Sequence, residues 1–544
     1  MARAFRPALL AWYGSLGCAL AGQAMGLAHA AAVAPASTLD IEEFAVDGNA
    51  ALPTEDVEQA VYPFLGPESN EGNIERARQA LEKLYHDKGY QGVRVVALDH
   101  VPDPDGVIHF RVLEIKLGRV RILGARFFLP SEIRKEMPSV HEGAEFNTIA
   151  LSQELGVANS LPGRTVTPVP KPSRTPGEIN LDLVVHDQLP VHASVEVDNA
   201  HARFSTPLRV TGTISYDNLF QRGQSLSVSY IASPQNQADS KVLVLTYRVP
   251  FTGTPYGLRI GAVKSDSAVA SLNATNIISN GTDVSLRGTA ELPASSSYSQ
   301  NVEAGVDYKD YRADTAIGGI NPSVSNIPVT YFPITADYTG IAHGAKNLDV
   351  ISLALTLAPP RAGSSRLVID ENRANARGQQ LYFRGGIDAT EDLFAGFKAH
   401  GRVSAQVSNE PLISNEQFAL GGATTVRGYY EVESPVDNGY NASIEAISPS
   451  FPDLLASMID TKSFVQDLRV LGFFDAGGGY NRAPLQGIAY RSRLESVGLA
   501  LNAALFDHVD GSLTWAMPLL TDGSNPPATR AHSQTILFRV ATEY

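Results

Sequence analysis

Leu208-Arg209-Val210-Thr211-Gly212-Thr213-Ile214-Ser215-Tyr216 runs into Asp217-Asn218-Leu219-Phe220-Gln221-Arg222-Gly223 and leaves through Leu226, Val228 and Tyr230, with Ser225, Ser227 and Ser229 between them. Successive side chains of a strand point to opposite faces, so this is a hairpin with one apolar and one polar face. The alternation returns in Leu243–Val249, Val302–Tyr308, Ile351–Leu357, Leu381–Ile387 and Val403–Val407, while helical periodicity fades after Pro190. Two architectures accommodate such strands. A soluble sandwich turns its apolar faces inward, whereas a membrane barrel turns them to lipid and leaves the polar faces around a wet lumen.

Features elsewhere in the chain favour the barrel. Arg3 and Arg6 precede an apolar run from Ala8 through Leu20, and Ala28-His29-Ala30 supplies a small-x-small site, so residues 1–30 read as a signal peptide for export. Beyond residue 31 no apolar stretch approaches the length of a membrane-spanning helix. The mean hydropathy of −0.07 suits strands that alternate. Tyr216, Tyr230, Tyr247 and Tyr308 lie near strand ends, where an interfacial girdle places aromatics. The last residues alternate as well: Ile536, Phe538, Val540, Thr542 and the terminal Tyr544 share one face. With Phe538, Val540 and Tyr544 on that face, the ending resembles the recognition signal of proteins inserted by the bacterial outer-membrane assembly machinery. The 355 residues from Pro190 to Tyr544 have room for about sixteen spanning strands with their connections, and fewer strands with longer loops fit as well.

Composition excludes several classes. With 43 Lys+Arg against 57 Asp+Glu, a net charge of −14 offers no footprint for a nucleic-acid backbone. The single cysteine, Cys18, falls inside the leader and leaves neither a disulfide nor a zinc framework. No Gly-x-Ser-x-Gly elbow, His-Glu-x-x-His pair or phosphate-binding Gly-x-x-x-x-Gly-Lys-Ser/Thr loop occurs, and the expectation is a protein without catalytic residues, metal or cofactor.

Ahead of the alternating region, residues 39–114 read as strand, helix, helix, strand, strand. Phe44 and Val46 alternate before Asp47-Gly48-Asn49, Thr54 caps a first helix, a second starts at Asn73, and Asp103-Pro104-Asp105-Gly106 turns the chain into Ile108, Phe110 and Val112. A similar order recurs about 75 residues later, over residues 115–189. There the segment Val166–Pro176 is rich in proline, which predicts a loose hairpin. This tandem resembles POTRA domains, the periplasmic polypeptide-transport modules of outer-membrane transporters. The fold class expected is therefore two small α+β POTRA-like domains followed by a transmembrane antiparallel β-barrel over residues 190–544.

Inside the alternating region stands Gln417-Phe418-Ala419-Leu420-Gly421-Gly422-Ala423-Thr424-Thr425-Val426-Arg427-Gly428-Tyr429, and later Gly472-Phe473-Phe474-Asp475-Ala476-Gly477-Gly478. The Val-Arg-Gly-Tyr block and the Phe-x-Asp-x-Gly strand resemble the paired motifs of the outer-membrane transporter superfamily that includes the barrel assembly factor and the two-partner secretion transporters. The resemblance implies that Val426, Arg427, Gly428 and Tyr429 sit on a long loop folded back into the barrel. It also implies that Arg427 pairs with Asp475 on the wall between Phe473 and Gly477. Period two puts those three residues on one strand face. Two modules ahead of a barrel resemble the exporters of haemolysins and filamentous haemagglutinins. The partners implied are a large secreted exoprotein, unfolded in the periplasm, outer-membrane lipid, and the assembly machinery that inserts the barrel. An assembly factor for other barrels and a passive channel remain the alternatives. One departure stands out: where such exporters often carry a plug helix before the first module, Ala31–Ser37 offers only a few Ala, Pro and Ser residues, so either the plug is absent or cleavage falls elsewhere.

Overall fold

Two α+β domains of one topology precede the barrel in the chain. The computed structural model describes residues 39–544 except 160, 162, 238, 252–253, 268–269, 273–275, 279, 296, 313–327, 345–346, 361, 452–464, 484–489, 507 and 524–526, so the leader expected over residues 1–30 lies outside the described residues. The chain divides into a unit ending at Ile115 and a unit starting at Lys116.

The first unit contains β1 (Leu39–Ile41), β2 (Glu43–Asp47), α1 (Thr54–Val61), β3 (Gly66–Ser69), α2 (Glu71–Asp87), β4 (Arg94–Ala97) and β5 (Val107–Leu113). Its main sheet has the order β2-β5-β4, with β2 parallel and β4 antiparallel to β5. Ile74, Ala77, Leu81 and Tyr85 of α2 recur at helical spacing and bury one face against Ile108 and Phe110. Two helix starts differ from expectation. Thr54 is the first helical residue behind Pro53 and makes no capping bond, and α2 begins before Asn73 because the Asn70 side chain accepts the Asn73 N–H at 3.1 Å.

The second domain repeats the plan with β6 (Lys116–Leu123), α3 (Pro130–Glu136), α4 (Thr148–Ala158), β7 (Arg164–Pro172) and β8 (Glu178–Asp187), in the order β6-β8-β7. Gly48 and Gly124 follow the first long strand of each domain at φ +84° and +88°, and a Cβ there would lie 2.6 Å from the Val112 oxygen and 2.5 Å from the Val185 oxygen. No other residue type fits so close to the neighbouring strand. The proline-rich segment is not loose: β7 pairs with β8 from Arg164↔Asp187 through Pro172↔Ile179. The reason is its edge position. Val166, two residues before Pro168, points its N–H away from β8 to Asn159 Oδ1 at 2.6 Å, so Pro168, Pro170 and Pro172 lack donors only on the open side.

The barrel begins with β9 (Val191–Asp198), β10 (Arg209–Leu219), β11 (Gln224–Ala232), β12 (Lys241–Pro250) and β13 (Tyr256–Ser265). A small separate hairpin, β14 (Ala270–Leu272) and β15 (Asn276–Ile278), precedes β16 (Gly281–Glu291), β17 (Tyr298–Arg312), β18 (Pro328–Tyr331), β19 (Ile334–His343) and β20 (Leu348–Leu357). After α5 (Arg366–Asn372) come β21 (Leu381–Asp392), β22 (Lys398–Ser408), β23 (Asn438–Ile447), β24 (Val465–Tyr480), β25 (Arg491–Leu505), β26 (Val509–Pro518) and β27 (Thr535–Glu543). Neighbours are antiparallel, and β27 closes the ring on β9 from Arg539↔Asp198 to Glu543↔Ser194. The described residues make sixteen staves, because β18 and β19 both pair with β17 and form one stave interrupted at Phe332-Pro333.

The alternation resolves into an apolar outside. Ile214 is 63% exposed, and Leu286, Ile387, Ile444 and Leu499 are likewise exposed, whereas Ser443, Asp475 and Ser496 are buried. This inversion separates the barrel from a sandwich, since so large an apolar band needs lipid against it. The turn between β10 and β11 meets the second domain: Gln221 Oε1 accepts the Leu129 N–H at 3.0 Å and Gln221 Nε2 reaches the Phe127 oxygen at 3.1 Å. Among the fully described connections, that end carries short turns such as 220–223 and 393–397, and the opposite end carries the long connection 409–437.

Candidate functional site

Residues 409–437 join β22 to β23 at the end of the barrel away from the second domain and fold back into the lumen. The two arms form a narrow hairpin. Phe418 and Val436 exchange backbone hydrogen bonds of 2.7 and 3.0 Å, and the Ser434 N–H reaches the Leu420 oxygen at 3.0 Å. Phe418, Leu420, Val426, Tyr429 and Val436 pack together against Leu494 of β25, so the loop brings its own apolar core. Gly428 turns the tip at φ +94°. On the wall, a Cβ at Gly477 would lie 2.9 Å from Val426 Cγ2 and 3.2 Å from Leu420 Cδ2. The missing side chain of Gly477 is the space that the loop occupies.

At the tip Arg427 faces Asp475, which is five residues in from the end of β24 at Tyr480, or roughly 17 Å from the rim at about 3.4 Å per residue. Arg427 Nε donates to Asp475 Oδ2 at 2.8 Å, Nη2 donates to Oδ1 at 2.7 Å, and the Arg427 backbone N–H adds a bond to Oδ2 at 3.0 Å. The guanidinium lies 3.5 Å above the Phe473 ring. Planarity and two parallel donors suit arginine to this position, with the carboxylate in its plane and the aromatic face against it. The Tyr429 hydroxyl, with one proton to donate, lies 2.8 Å from the Leu520 oxygen and 3.0 Å from the Glu495 oxygen, tying the tip to β25 and to the connection after β26.

The structure thus brings Val426, Arg427, Gly428, Tyr429, Phe473, Asp475 and Gly477 into one site. Phe538, Val540 and Tyr544 stand apart on the exposed outer face of the closing strand. Sequence reasoning missed the rest of the charged network. Ser443 lies directly opposite Asp475 and donates to its Oδ1 at 2.7 Å, and Glu445 pairs with Arg427 Nη1 at 2.7 Å. Glu445 also meets His400 Nδ1 at 3.0 Å, and His400 Nε2 meets Asp388 at 2.9 Å. The signal was present in the alternation of Asn441, Ser443 and Glu445, which share the lumen side of β23.

The loop borders two cavities in the lumen. One, of about 450 Å³, includes Glu416 and Phe418 and is lined by wall charges such as Arg259, Arg287, Asp307 and Lys309. The other, of about 640 Å³, includes Thr424, Arg427 and Glu431. The wall charges are paired: Arg259 Nε donates to Glu303 at 2.7 Å, and Arg287 meets Asp307 at 2.8 Å and also Asp337. Among the described residues no cluster of three potential metal ligands occurs.

The model of haemolysin secretion/activation proteins ShlB/FhaC/HecB matches residues 177–445, and that of the ShlB-type POTRA domain matches residues 39–114. Arg427 and Glu445 fall inside the first match and Asp475 follows it. Among solved structures, CdiB from Escherichia coli is 18% identical with a TM-score of 0.61, over 94% of this chain and 92% of that one. CdiB from Acinetobacter baumannii is 13% identical with a TM-score of 0.58, over 93% and 90%. BamA from Haemophilus ducreyi lacking POTRA domains 1–3 is 15% identical with a TM-score of 0.54, over 93% and 100%. At these identities the likeness shows the fold. No curated protein sequence matches the chain. With an N-terminal POTRA domain and a sixteen-stave barrel that holds its own loop, the chain belongs to the ShlB/FhaC/HecB family, the outer-membrane transporters of two-partner secretion, whose partner is a secreted exoprotein.

Proposed function

We propose that the protein carries one large exoprotein, still unfolded, from the periplasm to the cell surface through the lumen of its barrel. The observation that carries this reading is loop 409–437, held across a polar lumen by Arg427 on Asp475. A passive channel has no need of such an obstruction, whereas a polypeptide route must be closed between passengers. Arg427 and Asp475 position the loop and take no part in bond chemistry. Short turns at the end bearing the second domain and a long loop at the other fit a barrel whose POTRA-like domains lie in the periplasm. There the domains capture the passenger by pairing an open strand edge with an extended segment of it. β4 offers such an edge, and the prolines of β7 remove donors from theirs. The apolar outer band faces outer-membrane lipid, and Phe538, Val540 and Tyr544 present the closing strand to the assembly machinery. Folding of the passenger outside the cell supplies the drive.

The test is the surface and culture-supernatant proteome of a deletion strain, complemented with wild type or with Arg427→Ala. Loss of one large exoprotein, restored by wild type alone, is the expected result. General depletion of outer-membrane barrels would instead make the protein an assembly factor, and an unchanged proteome would make it a passive channel.

A further inference from the structure

The tip pair does not account for how the loop is held where it enters the lumen. Glu416 lies in the stem of the loop, just ahead of the paired arms, and is 2% exposed. Its Oε1 accepts from Lys309 Nζ of β17 at 2.7 Å and from the Tyr331 hydroxyl of β18 at 2.5 Å, and its Oε2 accepts from the Tyr382 hydroxyl of β21. Its backbone oxygen takes Arg384 Nη2 at 2.9 Å and Gln406 Nε2 at 3.1 Å. Five wall side chains from four strands thus converge on one residue of the loop. Burying a carboxylate is costly unless its lone pairs are met, and here they are met by a cation and two phenols. Without the loop, the ion pair left to Lys309 among the described residues is with Asp283, at 3.8 Å, and the hydroxyls of Tyr331 and Tyr382 lose their carboxylate acceptor. The socket is complementary to a carboxylate that the wall itself does not supply. It also lies on β17, β18, β21 and β22, whereas the tip rests on β23, β24 and β25.

We infer that Glu416 is a positioning residue that anchors the stem of the inner loop in a socket on the wall, independently of the Arg427–Asp475 pair at the tip. The inference rests on the proposed reading of loop 409–437 as the element that closes the passenger's route. Two anchors on different sectors of the wall let the tip leave its carboxylate while the stem stays seated, so that the loop swings instead of leaving the barrel.

Cysteine reporters separate the two anchors, since Cys18 is the only native cysteine. Ala419→Cys reports on the stem and Thr425→Cys on the tip, both at buried positions. Each is placed in the full chain in outer membranes and labelled with a maleimide, in the background of wild type, Glu416→Gln or Arg427→Ala. Glu416→Gln is expected to speed labelling at 419 by about tenfold to a hundredfold, the factor set by losing a charge-assisted buried hydrogen bond, with 425 still protected. Arg427→Ala is expected to do the reverse. If both reporters respond together to either substitution, or if Glu416→Gln leaves 419 protected, the independent anchor does not exist. Heat-modifiable mobility verifies barrel folding, and Tyr331→Phe, which removes one donor, is read in the same way should Glu416→Gln fail to fold. Exposure of 419 without any change in exoprotein secretion would leave the anchor standing and overturn the loop's role in closure.

Discussion

Four donors converge on Asp475: the Nε, Nη2 and backbone N–H of Arg427 and the hydroxyl of Ser443. Arg427→Ala strands a carboxylate that is 0% exposed, and the expected cost is about 3–5 kcal/mol, read as a lower urea midpoint for the refolded barrel. Lysine keeps the charge without the fork, so Arg427→Lys should secrete exoprotein more like Arg427→Ala than like wild type. The sequence motifs made this pair legible, since one residue of each stood in a recognisable block. Ser443, Glu445 and Glu416 were not legible, because each gains its meaning from strands far away in sequence. In the second domain, Arg121 and Lys171 beside Asp182 hold its carboxyl down at about 2, against an ordinary value of 3.8. A depressed carboxyl stabilises the fold above its unfolded value and loses that contribution as pH falls through the folded one. Asp182→Asn should therefore destabilise residues 116–187 at neutral pH, with the difference from wild type shrinking between pH 4 and pH 2 in hydrogen exchange on the full chain; an unchanged difference across that window would contradict the assignment.

At the scale of elements, alternation was enough to find strands and to group their faces, but not to say which face met water. That was decided by closure, because only a ring of strands turns every apolar face outward at once. Proline content misled in β7, where an edge strand tolerates missing donors on its open side. The same edge gives a prediction. Replacing Pro168 and Pro170 with valine should leave the domain folded but restore donors along the edge, giving concentration-dependent self-association in sedimentation of the detergent-solubilised chain. Failure to associate would mean that the prolines do not guard this edge. The loop depends on its space as much as on its charge. Gly477→Val should displace Val426 and Leu420 at a cost of about 1–3 kcal/mol and weaken the tip pair without touching either ion, which maleimide labelling at Thr425→Cys would register.

For the whole molecule, two α+β modules followed by an alternating tail were readable as an order of parts, and the sheet order β2-β5-β4 and β6-β8-β7 shows that the two modules are one fold used twice. Their shared glycines, Gly48 and Gly124, were visible in the sequence as turns, but the close approach to the neighbouring strand that requires them was not. Dividing the tail by a spanning length bounded the count near sixteen without fixing it; closure of the ring fixed it, and the broken stave at Phe332-Pro333 was not legible at all. Passage of one exoprotein through the lumen is the step on which the proposed function stands. It is tested most directly by placing a photo-crosslinking residue at Thr339, which lines the lumen, and at Leu355, which is exposed on the outer face, in cells that are actively secreting. One high-mass adduct with a single exoprotein is expected from position 339 and none from 355. Adducts from 339 with many outer-membrane barrel precursors, or with no polypeptide at all, would contradict it.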